Sequence, residues 1–283
     1  MKYEIEKASR TGFCFGVKRA IETLTESAAG YGGVEVLGAI VHNQQVTERL
    51  AATGIKVAPG INDIKGDIAA IGSHGVSPQV EATMKARFRV LIDTTCPFVR
   101  RAQTTARQLT ADGFTVIIYG EKEHPEVRGI LGYTDNKGIA TMDTGFLTSL
   151  QRLPRKIGVL SQTTQVPARF VEFSQQIVGS LLDKDVELRF VDTICHDIRE
   201  RQQSALEVAH RVDLMLVVGS HTSANSNHLA DLCATVTQSH MVETAAGIDF
   251  SWLKGCQRIG VTSGSSTAEE TVDDVIAKLK ELS

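Results

Sequence analysis

Three cysteines carry the first chemical signal in this chain. Cys14 stands in RTGFCFGVKRA, between two glycines, where an extended segment gives way to a helical one. Cys96 stands in DTTCPFVRRAQ and Cys195 in DTICHDIRERQ, so Asp, Thr, Cys, a basic residue (Arg100, Arg199) and Gln recur at an offset of 99 residues. Gly120 in VIIYGEKEHPE and Gly219 in LMLVVGSHTSA keep that offset of 99, and IGVLSQTT around Gly158 matches IGVTSGSS around Gly260 at 102. The first third follows with shorter spacing: Cys14 to Cys96 and Gly38 to Gly120 are each 82 apart, with a looser match of IAAIGSHGVS to the later strands. Self-similarity of this kind means one supersecondary unit used repeatedly.

The chemistry such cysteines could do follows from their setting. Each is expected just ahead of a helix, with Gly16, Pro97 and Asp197 as first-turn residues suited to a helix start. A helix N-terminus favours the thiolate. Three thiolates suit either zinc or an iron-sulfur cluster with one open position. Structural zinc draws its ligands in close local pairs, and the chain has no C-x-x-C. A cubane cluster ordinarily takes four thiolates; with three, one iron is left open to act as a Lewis acid while the cluster supplies electrons. Cys14 therefore reads as a cluster ligand whose flanking glycines allow close backbone approach. Cys233, in HLADLCATV, and Cys256 read as buried small hydrophobes, and a triplication with merely buried cysteines is the plain alternative for all.

Polar residues gather at the ends of the apolar runs: His42 and Asn43, Ser73 and His74, His124 and Glu126, Thr163 and Thr164, Ser223 and Asn225, Ser265 and Ser266. Without a Lys/Arg cluster or a G-x-x-x-x-G-K-[ST] loop they suggest an anion held by many hydrogen bonds rather than a nucleoside triphosphate. EHPE alone among these loops carries carboxylates, and a partly desolvated one beside a redox centre is a natural proton donor or relay. Local sequence does not choose between Glu123 and Glu126.

The elements that must position these residues are short Val/Ile-rich strands alternating with amphipathic helices, an α/β chain with parallel sheets. The repeat predicts three similar α/β domains about a pseudo-threefold axis: 13–95 with Cys14, 96–194 with Cys96, and 195–283 plus 1–12 with Cys195. Each is read as strand, cysteine, helix, strand, polar loop, helix, strand, polar loop. Ligand crevices lie at the carboxyl ends of parallel strands, which would turn three cysteines toward one centre. The 283 residues are 42% hydrophobic, enough for a large core. The charge of -3, from 30 basic and 33 acidic residues without a basic run, argues against a nucleic-acid or anionic-membrane partner. No apolar stretch is long enough for a span and the first residues lack a signal-peptide core, so the expected location is cytoplasmic, or plastid-like after processing. Five scattered cysteines argue against a disulfide framework.

Taken in order, GFCFGV, VHN, SHGVS, DTTCP, HPEV, SQTT, DTIC, SANSN and TSGSST make the chain resemble the 4-hydroxy-3-methylbut-2-enyl diphosphate reductases along its whole length. The resemblance implies a trefoil of three α/β domains around a 4Fe-4S cluster held by Cys14, Cys96 and Cys195. It implies substrate diphosphate contacts at His42, His74, Ser223, Asn225 and Ser266, a further substrate contact at His124, and Glu126 with Thr163 handling the hydroxyl and its proton. The implied reaction is reductive dehydroxylation to isopentenyl and dimethylallyl diphosphates, the last step of the methylerythritol phosphate pathway, with ferredoxin or flavodoxin as electron donor. Three departures stand out. Ala224 replaces a common serine and leaves only a backbone contact to diphosphate, Ile198 replaces a common threonine near the third cysteine, and Ala268 replaces a common proline. An iron-sulfur hydro-lyase, a non-catalytic cluster sensor and a zinc protein are the competing readings.

Overall fold

A computed structural model describes residues 3–41, 43–150 and 152–282. In chain order the elements are β1 (Glu4–Lys7), α1 (Phe15–Tyr31), β2 (Val34–Leu37), α2 (Gln44–Ala51), β3 (Ile55–Ala58), β4 (Ile68–Ile71), α3 (Pro78–Arg87), β5 (Val90–Asp93), α4 (Pro97–Ala111), β6 (Thr115–Tyr119), α5 (Pro125–Leu131), β7 (Ile139–Thr141), α6 (Phe146–Ser149), β8 (Lys156–Ser161), α7 (Pro167–Leu181), β9 (Glu187–Val191), α8 (His196–Ala209), β10 (Leu214–Val218), α9 (Ala224–Ala234), β11 (Gln238–Val242), β12 (Arg258–Ser263) and α10 (Glu269–Glu281).

The strands form three four-stranded sheets among the described residues, and every pairing is parallel. Read from the strand that precedes a cysteine, the orders are β1-β12-β10-β11, β5-β4-β2-β3 and β9-β8-β6-β7. The order is the same three times, so the repeat in the sequence is a repeat in the backbone. The N-terminal strand completes the last sheet by pairing Ile5 with Ile259. The chain divides into two compact units. One is Met1–Ile21, Val41–Thr53 and His196–Ser283, which holds the β1-β12-β10-β11 sheet; the other is Glu22–Ile40 and Gly54–Cys195, which holds the other two sheets.

The interior strands are apolar because helices cover both faces of a parallel sheet. IAAI of β4 and LMLVV of β10 are buried throughout, and KIGVLS of β8 and RIGVTS of β12 are buried after their first residue. The recurring Gly158 and Gly260 mark where helices press on these strands. A Cβ at Gly158 would meet Leu109 of α4 at 3.0 Å, and one at Gly260 would strike Val208 of α8 and Met215. In α4 the buried Val99, Ala102, Ala106 and Leu109 follow helical spacing, with Ala102, Ala106 and Leu109 packing on Val116, Ile118 and Leu160.

The sequence plan lacks one element per sheet, the edge strands β3, β7 and β11. IKVA buries only its two ends, and IAT and QSHMV are mostly half-buried. An edge strand open to water on one side carries no continuous apolar run, so its sequence signal is weak.

Candidate active-site residues

Each of the three cysteines is held in the same way. The amide of Cys14 donates to Ser265 O at 3.0 Å, that of Cys96 to Ser73 O at 3.0 Å, and that of Cys195 to Thr163 O at 2.9 Å. Each acceptor lies two residues past the end of the strand beside the cysteine-bearing one: β12, β4 and β8. A helix starts at the next residue in every case, at Phe15, Pro97 and His196. At the first of these the thiol sulfur caps the helix, accepting from Val17 N at 3.4 Å.

The Asp-Thr pair ahead of Cys96 and Cys195 builds the loop. Asp93 Oδ1 accepts from Thr95 N at 2.9 Å, and Asp192 Oδ1 from Ile194 N at 3.0 Å. Thr94 Oγ1 donates to Ile71 O at 2.6 Å, and Thr193 Oγ1 donates to Ser161 O. Arg100, the recurring basic residue of the repeat, is part of this frame, bonded to Asp93 and to the Tyr133 hydroxyl at 2.9 Å. None of the five cysteines forms a disulfide. Cys233 and Cys256 are buried as expected, and burial pushes the Cys233 thiol up to about 12. Among the described residues no three His, Cys, Asp or Glu side chains crowd around a single metal ion. A cubane takes one thiolate per iron, so its ligands do not converge on one atom.

In the second unit, the loop after β6 and the loop after β8 meet at Glu126. His124 caps α5, its Nδ1 accepting from Glu126 N at 3.2 Å, and Pro125 opens the helix where a missing N–H costs nothing. The acceptor role of Nδ1 assigns the imidazole proton to Nε2. One residue on, Glu126 turns inward and is 1% exposed. Its Oε1 accepts from Thr163 N at 2.7 Å and its Oε2 from Thr163 Oγ1 at 2.8 Å. Burial pushes the carboxyl up to about 7, against the downward pull of both Thr163 hydrogen bonds. Glu123 points to solvent and pairs with Arg128, so geometry separates the two carboxylates of EHPE.

His74, in the turn after β4, sets its ring edge-on to His124 with centroids 5.4 Å apart. Both histidines are half-buried, and His74 lines a cavity of about 270 Å³ with Gly72, Pro125 and Arg128. Sequence reasoning missed Gln162, whose Oε1 accepts from Glu121 N at 3.0 Å and from Gln165 Nε2 at 3.2 Å, while its Nε2 donates to Thr164 Oγ1 at 3.0 Å. It ties the Glu126 loop to the Thr163 loop, and its place inside SQTT was the available signal.

The first unit assembles a second polar set at the ends of β10 and β12. Ser223 caps α9, its Oγ accepting from Ser226 N at 3.3 Å, with Ala224 as the first helical residue. Ser226 fills the space beside Gly219 and Gly264, and Thr267 Oγ1 donates to Val218 O at 3.0 Å. Ser266 is buried in the same β12–α10 loop. Asn225 is 3% exposed, yet neither Nδ2 nor Oδ1 has a hydrogen-bond partner. A buried amide with nothing to bind costs about 1–3 kcal/mol, which marks the start of α9 as a place for a ligand. His42, expected among the substrate contacts, lies outside the described residues.

Three like parallel sheets, each delivering a cysteine at a strand end, with a buried carboxyl near neutrality and an unpaired buried amide at a helix start, define an α/β enzyme scaffold for an anionic substrate. The chain belongs to the LytB protein family, whose pattern it matches over residues 5–280. It is 52% identical over 280 residues to a 4-hydroxy-3-methylbut-2-enyl diphosphate reductase of Dehalococcoides mccartyi strain CBDB1, covering 99% of each chain. It is 38% identical over 283 residues to the protein of that name in Geobacter metallireducens, covering 99% of this chain and 98% of the other. Among solved structures it superposes on the E-1-hydroxy-2-methyl-but-2-enyl-4-diphosphate reductase of Plasmodium falciparum with a TM-score of 0.90 at 25% identity, covering 98% of this chain and 88% of that one. A structure of (E)-4-hydroxy-3-methyl-but-2-enyl diphosphate reductase, the terminal enzyme of the non-mevalonate pathway, matches with a TM-score of 0.72 at 32% identity, covering 99% and 100%.

Proposed function

We propose that the chain is a 4-hydroxy-3-methylbut-2-enyl diphosphate reductase, converting the allylic alcohol to isopentenyl and dimethylallyl diphosphates. The balance is one substrate, two electrons and two protons giving one product and one water. The carrying observation is the Glu126–Thr163 pair. A carboxyl held near pH 7 is half protonated at neutrality and gives up or takes a proton with little driving force lost. Thr163 Oγ1 both donates and accepts, so a proton on Glu126 Oε2 reaches a substrate hydroxyl through it, and burial keeps bulk water from short-circuiting the transfer.

We assign Cys14, Cys96 and Cys195 as ligands of a 4Fe-4S cluster, one from each of three lobes bounded at 13–95, 96–194 and 195–283 with 1–12. The donor set fits: each cysteine heads a helix whose N–H groups favour a thiolate, and at Cys14 the Val17 N–H is already on the sulfur. When bound, such a cluster would pass on the donor's two electrons one at a time and offer an open iron for the hydroxyl. The diphosphate is assigned to Asn225, Ser223, Ser266 and the backbone of Ala224, with His42, His74 and His124 as further contacts. The unpaired Asn225 amide supports this: Nδ2 is a donor in want of an acceptor oxygen, at the positive end of a helix. His124 is held for this contact by its Nδ1, which accepts from Glu126 N. Ferredoxin or flavodoxin is the proposed electron donor and the cytoplasm the proposed location; no helix among the described residues is long and apolar enough to cross a membrane. Anaerobic turnover of the alcohol with a reduced donor tests the assignment. Formation of both five-carbon diphosphates is expected, and conversion of substrate without any reductant would instead support a hydro-lyase.

A further inference from the structure

The three cysteine loops hold the cysteine amide alike but differ in how the neighbouring strand's last carbonyl is satisfied. At Cys96 that carbonyl, Ile71 O, takes the hydroxyl of Thr94, and at Cys195 its counterpart Ser161 O takes the hydroxyl of Thr193. The corresponding carbonyl beside Cys14 is Ser263 O, and the residue in the threonine's place is Gly12, which has no side chain and a φ of +72°. Its donor is Arg201 Nη1, at 3.0 Å. The same guanidinium donates to Arg10 O at 3.2 Å and, through Nη2, to Gly12 O at 3.0 Å.

The reason lies in loop length. Two residues, 94–95, separate β5 from Cys96, and three, 192–194, separate β9 from Cys195, but six, 8–13, separate β1 from Cys14. The longer path turns extra carbonyls inward, and buried carbonyls must be paired. One threonine cannot reach three of them; a planar fork of five donors can. Arg201 stands six residues after Cys195 on α8, and the residue six after Cys96 is Ala102, a small core residue of α4. Arg201 is 2% exposed, with Asp197 Oδ2 at 3.7 Å as its carboxylate partner one turn earlier. Burying a guanidinium is costly, so its presence here needs a return beyond packing.

We propose that Arg201 is a positioning residue for the Cys14 ligand: it replaces the threonine of the other two cysteine loops, fixes the backbone on which Cys14 sits, and places a permanent positive charge beside that backbone. The charge favours the more electron-rich state of whatever Cys14 binds. The electronic half of this proposal rests on the cluster assignment; the backbone half does not.

The test uses Arg201→Gln and Arg201→Lys in the full chain. In cluster-free protein, hydrogen exchange is followed by mass spectrometry in peptides spanning 8–17, with peptides spanning 92–99 and 191–198 as internal references. Both variants are expected to speed exchange around Cys14 by about tenfold or more, as local opening becomes easier, and to leave the two reference loops unchanged. In anaerobically loaded protein, Arg201→Gln is expected to shift the midpoint potential to a more negative value, whereas Arg201→Lys, which keeps the charge but cannot span three carbonyls, restores it. A uniform rise in all three loops, or no rise at Cys14, overturns the clamp. An unshifted potential in Arg201→Gln overturns the electronic role. A chain that never takes up a cluster, yet exchanges as expected, overturns the cluster assignment while the clamp stands.

Discussion

The polar strand ends of the two units are built to opposite rules. At the ends of β6 and β8 in the second unit the buried groups are matched to one another: both oxygens of Glu126 take a Thr163 donor, Ser161 pairs with Thr193, and Gln162 bonds Glu121, Thr164 and Gln165. In the first unit Asn225 Nδ2 and Oδ1, Ser226 Oγ and Thr262 Oγ1 are buried without a hydrogen-bond partner. A closed network holds geometry and can hold a proton; an open one holds its hydrogen-bonding capacity in reserve for a ligand. On the proposed assignment the contrast divides proton handling at Glu126 from anion binding at Asn225, and it predicts which substitutions harm chemistry and which harm binding.

The largest effect is expected at Glu126. Glu126→Gln is nearly isosteric but neither gives nor takes a proton, and turnover should fall by roughly 10²–10⁴-fold while substrate still binds, measured by single-turnover kinetics beside calorimetric titration. Stability should move the other way. The folded chain holds the Glu126 proton up to about pH 7, whereas the ordinary value is 4.5, so the stability this carboxyl allows is full below 4.5 and is lost as pH rises through 4.5 to about 7. Relative to the parent, Glu126→Gln should therefore gain stability across that window, by at most a few kcal/mol, and melting curves at pH 5 and pH 8 read the gain. Full turnover in this variant would remove the distinction between the two sites.

Next in size is Asn225→Ala. With an unpaired amide gone, the ligand-free chain should gain about 1 kcal/mol of stability, while substrate affinity drops about tenfold or more with single-turnover chemistry once bound little changed. A loss of stability with unchanged affinity would mean that the amide serves the fold. Thr163→Val sharpens the other side. It deletes the Oγ1 donor and leaves the Thr163 N–H on Glu126, and since hydrogen bonds to the carboxylate pull its pKa down, the Glu126 pKa must rise further. Turnover should fall with the Oγ1 relay gone, and the pH–rate profile of what remains should move upward by about one unit; an unmoved profile would take Glu126 out of the rate-determining proton transfer.

How far the sequence made this visible depended on how local each signal was. The repeat read a helix start after each of the three cysteines and a glycine at the end of an interior strand, and the structure has both; Gly120 and Gly219 directly follow the apolar runs VIIY and LMLVV, and Gly38 follows VEVL. The Asp-Thr-x-Cys motif was visible and the turn from Asp93 to Thr95 is local to it, but the pairing of Thr94 with Ile71 needs the neighbouring strand. EHPE presented two carboxylates around one His-Pro, and only the helix that begins at Pro125 turns Glu126 inward and leaves Glu123 outside. Arg201 carries no signal within HDIRER, since nothing local says that a loop six residues long, arriving from the other end of the chain, needs its carbonyls filled. Signals carried by contacts between distant segments stay silent in any window of sequence.

The smallest expected effect bears on how deep the open network reaches. Ser226 follows Asn225, is fully buried, and packs its side chain beside Gly219 and Gly264, with its Oγ unpartnered while its N–H is used by the Ser223 cap. Ser226→Ala removes the idle hydroxyl and keeps the cap. Loss of a few packed contacts offsets the relief of desolvation, so stability should change by less than about 1 kcal/mol, and affinity for inorganic diphosphate or substrate should stay within about twofold by the affinity scale. That result limits the ligand's reach to Asn225 and the helix-start backbone. A tenfold loss of affinity would extend it to the floor between β10 and β12, and the first unit's open network would then be a binding site throughout rather than a binding amide above a packing hydroxyl.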